Sequence, residues 1–165
     1  MTKILKNWHK IIFILSVLAI TFALTAEYFF NLIPCKMCLH QRYPYYFIII
    51  VLIIFYFLKT KPILFTYPLI QIAIIYGLFY SIWHVGIEQN ILQAPAECSS
   101  TLDISNSTED LKQQLSNQEI VNCSDVGWSI IGLSAATWNS FLLLFFLFFN
   151  SIYIYKTYYE KKKKN

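Results

Sequence analysis

Four long apolar stretches limit what this chain can fold into more than any other feature of its sequence. They cover residues 11–30, 44–58, 63–85 and 130–155. A helix needs about 20 mostly apolar residues to cross the hydrocarbon core of a bilayer. Three stretches have that length, and the second reaches it if its helix begins near Cys38. We therefore predict an all-α integral membrane protein, a four-helix transmembrane bundle in one domain. The expected spans lie at about 11–30, 38–58, 62–85 and 130–155 of residues 1–165.

The composition agrees with a membrane protein and excludes an ordinary soluble domain. Apolar residues make up 57% of the chain and charged residues 13%, whereas soluble domains carry about 25% charged residues. The net charge of +4 does not indicate nucleic-acid binding, because the basic residues stand at the ends of apolar stretches, as membrane flanks do. Three lysines ahead of the first stretch resemble a signal peptide, but the stretch is long for one, so we expect it to be retained.

Lysine and arginine are divided unevenly between the two sides of the membrane. Ten of the thirteen lie in the N-terminal tail, the link between spans two and three, or the C-terminal tail, which four spans place on one side. The positive-inside rule assigns that side to the cytoplasm. The other side then carries a short loop at about residues 31–43. It also carries a long extracytoplasmic loop between spans three and four, at about residues 86–129.

All four cysteines, Cys35, Cys38, Cys98 and Cys123, fall in these two outward loops. The outer side is the oxidising side of a bacterial membrane or of the endoplasmic reticulum, where disulfides persist. Cys35 and Cys38 form a C-x-x-C motif, which can be redox-active, structural or half of a zinc site. A zinc site needs a compact set of ligands, and the separation of 25 positions between Cys98 and Cys123 does not suggest one. Two structural disulfides are the stronger alternative.

The residues after Cys38 add chemistry to the first pair. If the second helix begins at about Cys38, this thiol lies in the first turn, where the helix dipole favours thiolate. Arg42 follows four residues later and therefore lies on the same helix face. A permanent cation there stabilises a thiolate, or a negative charge on a bound ligand. Tyr43 followed by Pro44 predicts either a kink or a helix that becomes regular only at Pro44.

The order and spacing of these residues resemble the DsbB family, bacterial membrane proteins that reoxidise the soluble disulfide-forming protein DsbA. The resemblance covers nearly the whole chain and is carried by Pro34–Cys35, Cys38, Gln41–Arg42, Pro44, Trp83–Gln89, Cys98, Cys123, Trp128, Gly132–Ser134 and Trp138–Asn139. It implies the disulfides Cys35–Cys38 and Cys98–Cys123. It also implies a protein dithiol:quinone oxidoreductase of the bacterial inner membrane. The implied partner is a DsbA-like periplasmic thioredoxin-fold protein, and the implied electron acceptor is ubiquinone or menaquinone, without a metal.

The reaction that this resemblance implies uses all four cysteines as catalytic residues. A thiolate of the partner attacks Cys98, and the freed Cys123 attacks Cys35, which releases Cys38 next to the quinone. The loop pair is therefore expected to face water, and the C-x-x-C pair is expected to lie at the membrane edge.

Four further residues are candidate contacts of the quinone. We expect Arg42 to contact it through its charge and Gln41 to donate a hydrogen bond to a quinone carbonyl. His84 and Glu88 lie one helical turn apart and are candidates for handling quinone protons, because ionisable groups inside a membrane are usually functional. The alternative for Arg42 is an interfacial anchor, and the others also fit the water interface. We interpret Glu27, near the end of the first span, as an interfacial residue.

Two other functions remain open. A vitamin K epoxide reductase-like enzyme also couples thiols to a quinone in a small helical bundle. In that family the C-x-x-C motif follows the loop cysteines, whereas here Cys35 and Cys38 come first. A non-enzymatic membrane protein with two structural disulfides gives no reason for Cys38 and Arg42 to share a helix face.

Overall fold

Four long helices make up most of the chain in a computed structural model, which describes residues 5, 7–57, 63–95, 98 and 122–164. The helices are α1 (Trp8–Phe29), α2 (Lys36–Phe57), α3 (Ile63–Glu88) and α4 (Ala135–Lys164). Each contains a segment that is long and apolar enough to cross a membrane. The prediction of an all-α protein with four transmembrane helices is therefore confirmed for the described part of the chain.

The helices form a bundle with α3 at its centre. α3 lies between α2 and α4, while α1 packs mainly along α2. The core between them is filled by fully buried side chains such as Trp8, Ile48, Ile74 and Phe146. Many large apolar side chains on the outer faces of the helices are exposed. Such continuous apolar surfaces are typical of a protein that is surrounded by lipid.

A buried polar cluster joins three helices in the half of the bundle that contains the start of α1 and the start of α3. The indole Nε1 of Trp8 donates to Asn150 Oδ1 at 3.2 Å. The amide nitrogen of Asn150 donates to Gln71 Oε1 at 2.6 Å and to the carbonyl oxygen of Tyr67 at 3.1 Å. Hydrogen bonds of this kind hold transmembrane helices together where burial of apolar surface supplies little driving force. The cluster therefore ties α1 to α3 and α4.

Helix α2 runs through Pro44 and begins well before it, at Lys36. The expectation of a helix that becomes regular only at Pro44 is therefore wrong. The opposing helix is shaped to receive the proline ring, because α3 carries Gly77 at this point. A Cβ atom on Gly77 would lie only 2.5 Å from Pro44 Cγ. Tight packing against α3 thus accompanies a proline that would otherwise weaken the helix.

A short hairpin precedes α4 on the side of the bundle that carries the cysteines. It consists of β1 (Ser129–Ile130) and β2 (Leu133–Ser134), which pair antiparallel. The hydroxyl of Ser134 accepts a hydrogen bond from the backbone N–H of Thr137 at 3.2 Å, which caps the start of α4. Residues 96–97 and 99–121 of the predicted long loop lie outside the described residues. The prediction of the loop's length falls on these residues as well.

Candidate active site

The C-x-x-C pair lies at the start of α2. Cys35 immediately precedes the helix and Cys38 lies in its first turn, and their Sγ atoms are 3.0 Å apart as free thiols. The backbone N–H of Cys38 donates to Cys35 Sγ at 3.3 Å. Cys35 therefore takes the position in which a capping side chain accepts a first-turn N–H. The dipole of α2 and the N–H group of Cys38 together favour negative charge on the sulfur of Cys35.

These contacts perturb the Cys35 thiol strongly. Its hydrogen bond with Cys38 is the main cause that lowers the pKa of Cys35 to about 4, with a further contribution from His84 and against the effect of burial. From its place in the first turn of the helix, Cys38 is the residue that the sequence predicts to be the thiolate. The structure favours Cys35 as the thiolate in this reduced form, because its sulfur receives the first-turn N–H.

The second pair is joined by a Cys98–Cys123 disulfide. Both cysteines are buried, at 2% and 0% exposure, in one apolar cluster with Cys35, Met37 and Ile87. The expectation that the loop pair faces water is therefore wrong for this state. The physical reason is that the chain around Cys123 packs on the ends of α2 and α3, where the sulfurs complete an apolar cluster. Both cysteine pairs thus meet in one place.

His84 lies between the two cysteine pairs and is only 3% exposed. Its Nε2 atom is 3.7 Å from Cys35 Sγ and 3.2 Å from the backbone oxygen of Cys123. Glu88, one turn further along α3, has its Oε1 atom 3.9 Å from the same ring nitrogen. The other carboxylate oxygen of Glu88 accepts a hydrogen bond from the hydroxyl of Ser134 at 2.5 Å. Glu88 therefore lies between His84 on its own helix and Ser134 at the start of α4.

Gln41 is buried against His84. Its Nε2 atom is 2.9 Å from His84 Nδ1, and its Oε1 atom accepts a hydrogen bond from Asn139 Nδ2 at 3.0 Å. Asn139 in turn accepts a hydrogen bond from the Tyr45 hydroxyl at 2.5 Å. From the sequence, Gln41 is predicted to contact the quinone, Tyr45 is interpreted as part of an interfacial aromatic belt, and Asn139 is one of the residues that carry the family resemblance. No sequence pattern shows how α2, α3 and α4 are rotated about their axes relative to one another. The sequence therefore could not predict this hydrogen-bond network.

Two sulfurs and a ring nitrogen come close enough to bind a metal ion in principle. Among the described residues, Cys35, Cys38 and His84 bring one ligand atom each to within 4.8 Å of one another. A histidine nitrogen must be unprotonated to act as a ligand. With the Gln41 N–H facing Nδ1, the neutral ring carries its hydrogen on Nε2, the atom nearest the sulfurs. The arrangement therefore suits a hydrogen-bond donor better than a metal ligand.

Arg42 forms an ion pair with Glu27 that was not predicted from the sequence. Its Nη1 atom lies 2.5 Å from Glu27 Oε2, and the two side chains are 13% and 26% exposed. The pair joins α2 to the C-terminal end of α1. An available signal was that Glu27 is the acidic residue nearest the end of the first span, where a cation in the membrane edge needs a partner.

A cavity of about 460 Å³ lies beside the C-x-x-C pair. Small side chains of α1, including Ala19, Ala23 and Ala26, form one wall, and α4 contributes Leu142. The polar part of the lining includes Cys35, Cys38, Gln41, Arg42, His84 and Glu88, together with Tyr45, Asp125 and Asn139. This size is typical of ligand pockets, which measure about 300–1,000 Å³ and combine apolar walls with few polar groups. All four candidate quinone contacts line this one cavity.

Comparison with known proteins gives one family. The model of the family "Disulfide bond formation protein DsbB" matches residues 6–153. An uncharacterized protein of Rickettsia prowazekii (strain Madrid E) is 29% identical over 161 residues, which cover 96% of this chain and 91% of the relative. No solved structure matches the chain. The range matched by the family model includes all four cysteines and every polar residue of the cavity.

Proposed function

Because the chain belongs to the DsbB family of disulfide bond formation proteins, we propose that it is a protein dithiol:quinone oxidoreductase of the bacterial inner membrane. It reoxidises a DsbA-like periplasmic thioredoxin-fold protein and passes the electrons to ubiquinone or menaquinone. Both termini lie in the cytoplasm, and the cysteines lie on the periplasmic side. The observation that carries the proposal is the meeting of both cysteine pairs in one buried cluster at the polar part of a cavity.

Electrons move through the protein by disulfide exchange. The partner's thiolate attacks Cys98, which breaks the Cys98–Cys123 bond and releases the Cys123 thiolate. That thiolate attacks Cys35 in the oxidised C-x-x-C pair and releases the Cys38 thiolate. The partner's second thiolate then displaces Cys98, which leaves the partner oxidised, and Cys98 re-forms its bond with Cys123 and frees Cys35. Two electrons have then moved from the partner to Cys35 and Cys38.

The cysteine pairing in the structure is the one that these exchanges would leave. Cys98 and Cys123 are bonded, whereas Cys35 and Cys38 are free thiols. A low pKa makes Cys35 a good leaving group when Cys98 displaces it from Cys123. Cys98 is 2% exposed, so the partner must displace the side chains that cover this disulfide before it can attack.

The cavity fits a quinone ring and the beginning of its apolar tail. A quinone supplies the final step because it accepts two electrons and two protons. Arg42 presents a cation that favours negative charge on a bound oxygen, and its ion pair with Glu27 holds the guanidinium at the cavity wall. Glu88 also lines the cavity and is placed to exchange protons there. Gln41 has a second amide N–H available for a quinone oxygen in addition to the one that faces His84.

The proposal is tested with purified protein in detergent, a reduced DsbA-like protein and a soluble quinone analogue. We expect quinone reduction by the wild type, and we expect Cys98→Ala to abolish partner oxidation. Cys98→Ala should still form the Cys35–Cys38 disulfide when quinone is added, because the C-x-x-C pair does not need the loop pair for that step. Ser124→Ala, next to Cys123, serves as the matched control and should turn over normally. Normal partner turnover in Cys98→Ala would mean that the loop disulfide is structural.

A further inference from the structure

We propose that Asn139 and Tyr45 are positioning residues which, through Gln41, hold His84 as the tautomer that carries its hydrogen on Nε2, facing both cysteine pairs. The importance of this arrangement for turnover rests on the proposed function. The tautomer itself is a property of the hydrogen-bond network and can be measured without partner or quinone.

The network is a directed chain of donors that begins at Tyr45. The Tyr45 side chain is 3% exposed, and its hydroxyl donates to Asn139 Oδ1. This contact turns the amide of Asn139 so that Nδ2 faces Gln41 Oε1 at 3.0 Å and Ser81 Oγ at 3.1 Å. Gln41 is thereby turned so that its own Nε2 faces His84 Nδ1 at 2.9 Å. Nδ1 must then be an acceptor.

Reversing the direction of these hydrogen bonds is disfavoured at Tyr45, where the network begins. If both amides were flipped, the Asn139 amide nitrogen would face the Tyr45 hydroxyl, which would then accept. The hydroxyl hydrogen of Tyr45 would lose the acceptor that it has among the described residues. A buried donor without an acceptor is costly. The buried tyrosine therefore sets the direction of the chain.

The contact at the other end of the network adds to the same preference. His84 Nε2 lies 3.2 Å from the backbone oxygen of Cys123, and a carbonyl oxygen can only accept. This contact favours the hydrogen of the neutral ring on Nε2. Tyr45 on α2 and the Cys123 carbonyl are separate groups at the two ends of the network, and together they hold one tautomer of His84, so loss of the Tyr45 donor weakens that preference.

This tautomer has a use at the cysteine pairs. The Nε2–H of His84 holds the Cys123 backbone by its carbonyl and also faces Cys35 Sγ at 3.7 Å. It therefore keeps the two residues that exchange a disulfide beside each other. It also presents a donor to the sulfur of Cys35 rather than a lone pair, which favours thiolate there. A ring with its hydrogen on Nδ1 would lose both contacts.

The test is nitrogen NMR of the reduced protein in detergent micelles, labelled with ¹⁵N in its three histidines, His9, His40 and His84. The His84 signals are assigned by comparison with His84→Gln. We expect separate signals in the wild type for an unprotonated Nδ1 and a protonated Nε2. Tyr45→Phe removes the first donor but keeps the ring, so the two signals should move towards a common average. Asn139→Leu should do the same.

Gln41→Glu provides the reversed arrangement, because a carboxylate only accepts and would draw the hydrogen to Nδ1. Tyr153→Phe is the matched control, since Tyr153 is also a buried tyrosine but lies against Tyr67 in the other half of the bundle. It should leave the His84 signals unchanged. If Tyr45→Phe gives the wild-type spectrum, or the same change as Tyr153→Phe, the proposal is wrong.

A turnover assay on the same samples separates this proposal from the proposed function. If the protein is a dithiol:quinone oxidoreductase, Tyr45→Phe should lower the rate of transfer between the pairs, and Tyr153→Phe should not. A wild type without quinone reduction but with a fixed His84 tautomer would overturn the proposed function and leave the network intact. A normal rate in a variant whose tautomer has changed would overturn the role of the network in exchange.

Discussion

The contact between Gly77 and Pro44 predicts that a single methyl group at Gly77 damages both stability and the site. A Cβ atom there would lie 2.5 Å from Pro44 Cγ and 3.2 Å from Leu143 Cδ1. The leucine side chain can shift by a few tenths of an ångström. The proline ring is closed onto the backbone of α2 and cannot rotate away. Because carbon atoms pack at about 3.5–4.0 Å, α2 and α3 would have to separate by about 1 Å in Gly77→Ala.

The size of the effect follows from two opposing terms. Overpacking a helix contact costs about 1–3 kcal/mol, and alanine is favoured over glycine in a helix by about 1 kcal/mol. The difference between the two is about 0–2 kcal/mol, and because the proline ring cannot move aside we expect the upper part of that range, a net loss of about 1–2 kcal/mol. This corresponds to a fall of about 2–8 °C in Tm for a chain of this size. A shift of about 1 Å also stretches the 2.9 Å contact between Gln41 and His84 beyond hydrogen-bond range.

Two measurements test this prediction. Thermal unfolding in detergent gives the Tm of each variant, and ¹⁵N NMR of the folded variant gives the signals of His84. Gly127→Ala is the matched control for stability, because a Cβ atom there meets nothing within 4 Å. Gly77→Ala should melt below both the control and the wild type, with the His84 signals shifted. Equal melting temperatures for Gly77→Ala and Gly127→Ala would refute the reasoning, because α2 and α3 would then not be in rigid contact at Pro44.

Two further predictions concern charge at the site. Arg42→Lys should accumulate normally but bind quinone more weakly and turn over more slowly, because lysine keeps the charge and loses the planar donors; Arg42→Ala should be worse on both counts. Quinone-dependent rates at equal protein amounts measure this, and unchanged affinity in Arg42→Ala would mean that Arg42 is only an interfacial anchor. With a pKa of about 4, Cys35 is a thiolate above that pH. The rate of its alkylation, measured by mass spectrometry, should therefore be nearly independent of pH between about 6 and 8 and should fall only towards pH 4. An ordinary thiol with a pKa of about 8.5 would instead react about tenfold faster for each pH unit in that range, and that result would contradict the prediction.

Local signals in the sequence were sufficient for the membrane fold and for the chemistry expected of it. Hydrophobic length identifies spans, because a helix in lipid satisfies its own backbone and only needs apolar side chains over its length. The distribution of lysines predicts which loops lie on the same side of the membrane. It therefore predicts that Cys35, Cys38, Cys98 and Cys123 all lie on one side. The order of these cysteines and the Gln41–Arg42 pair carried the family resemblance, which the match over residues 6–153 confirmed.

Tertiary structure decided how the site is assembled. The burial of Cys98 and Cys123 beside Cys35, the ion pair of Arg42 with Glu27, and the alignment of His84 by Gln41 all join different helices or a loop to a helix. Such contacts depend on the rotation and crossing of each helix about its neighbours. All four helices here are apolar around their circumference, so hydrophobic periodicity does not reveal which face turns inward. Packing, as at Gly77 and Pro44, and buried hydrogen bonds supply that missing information.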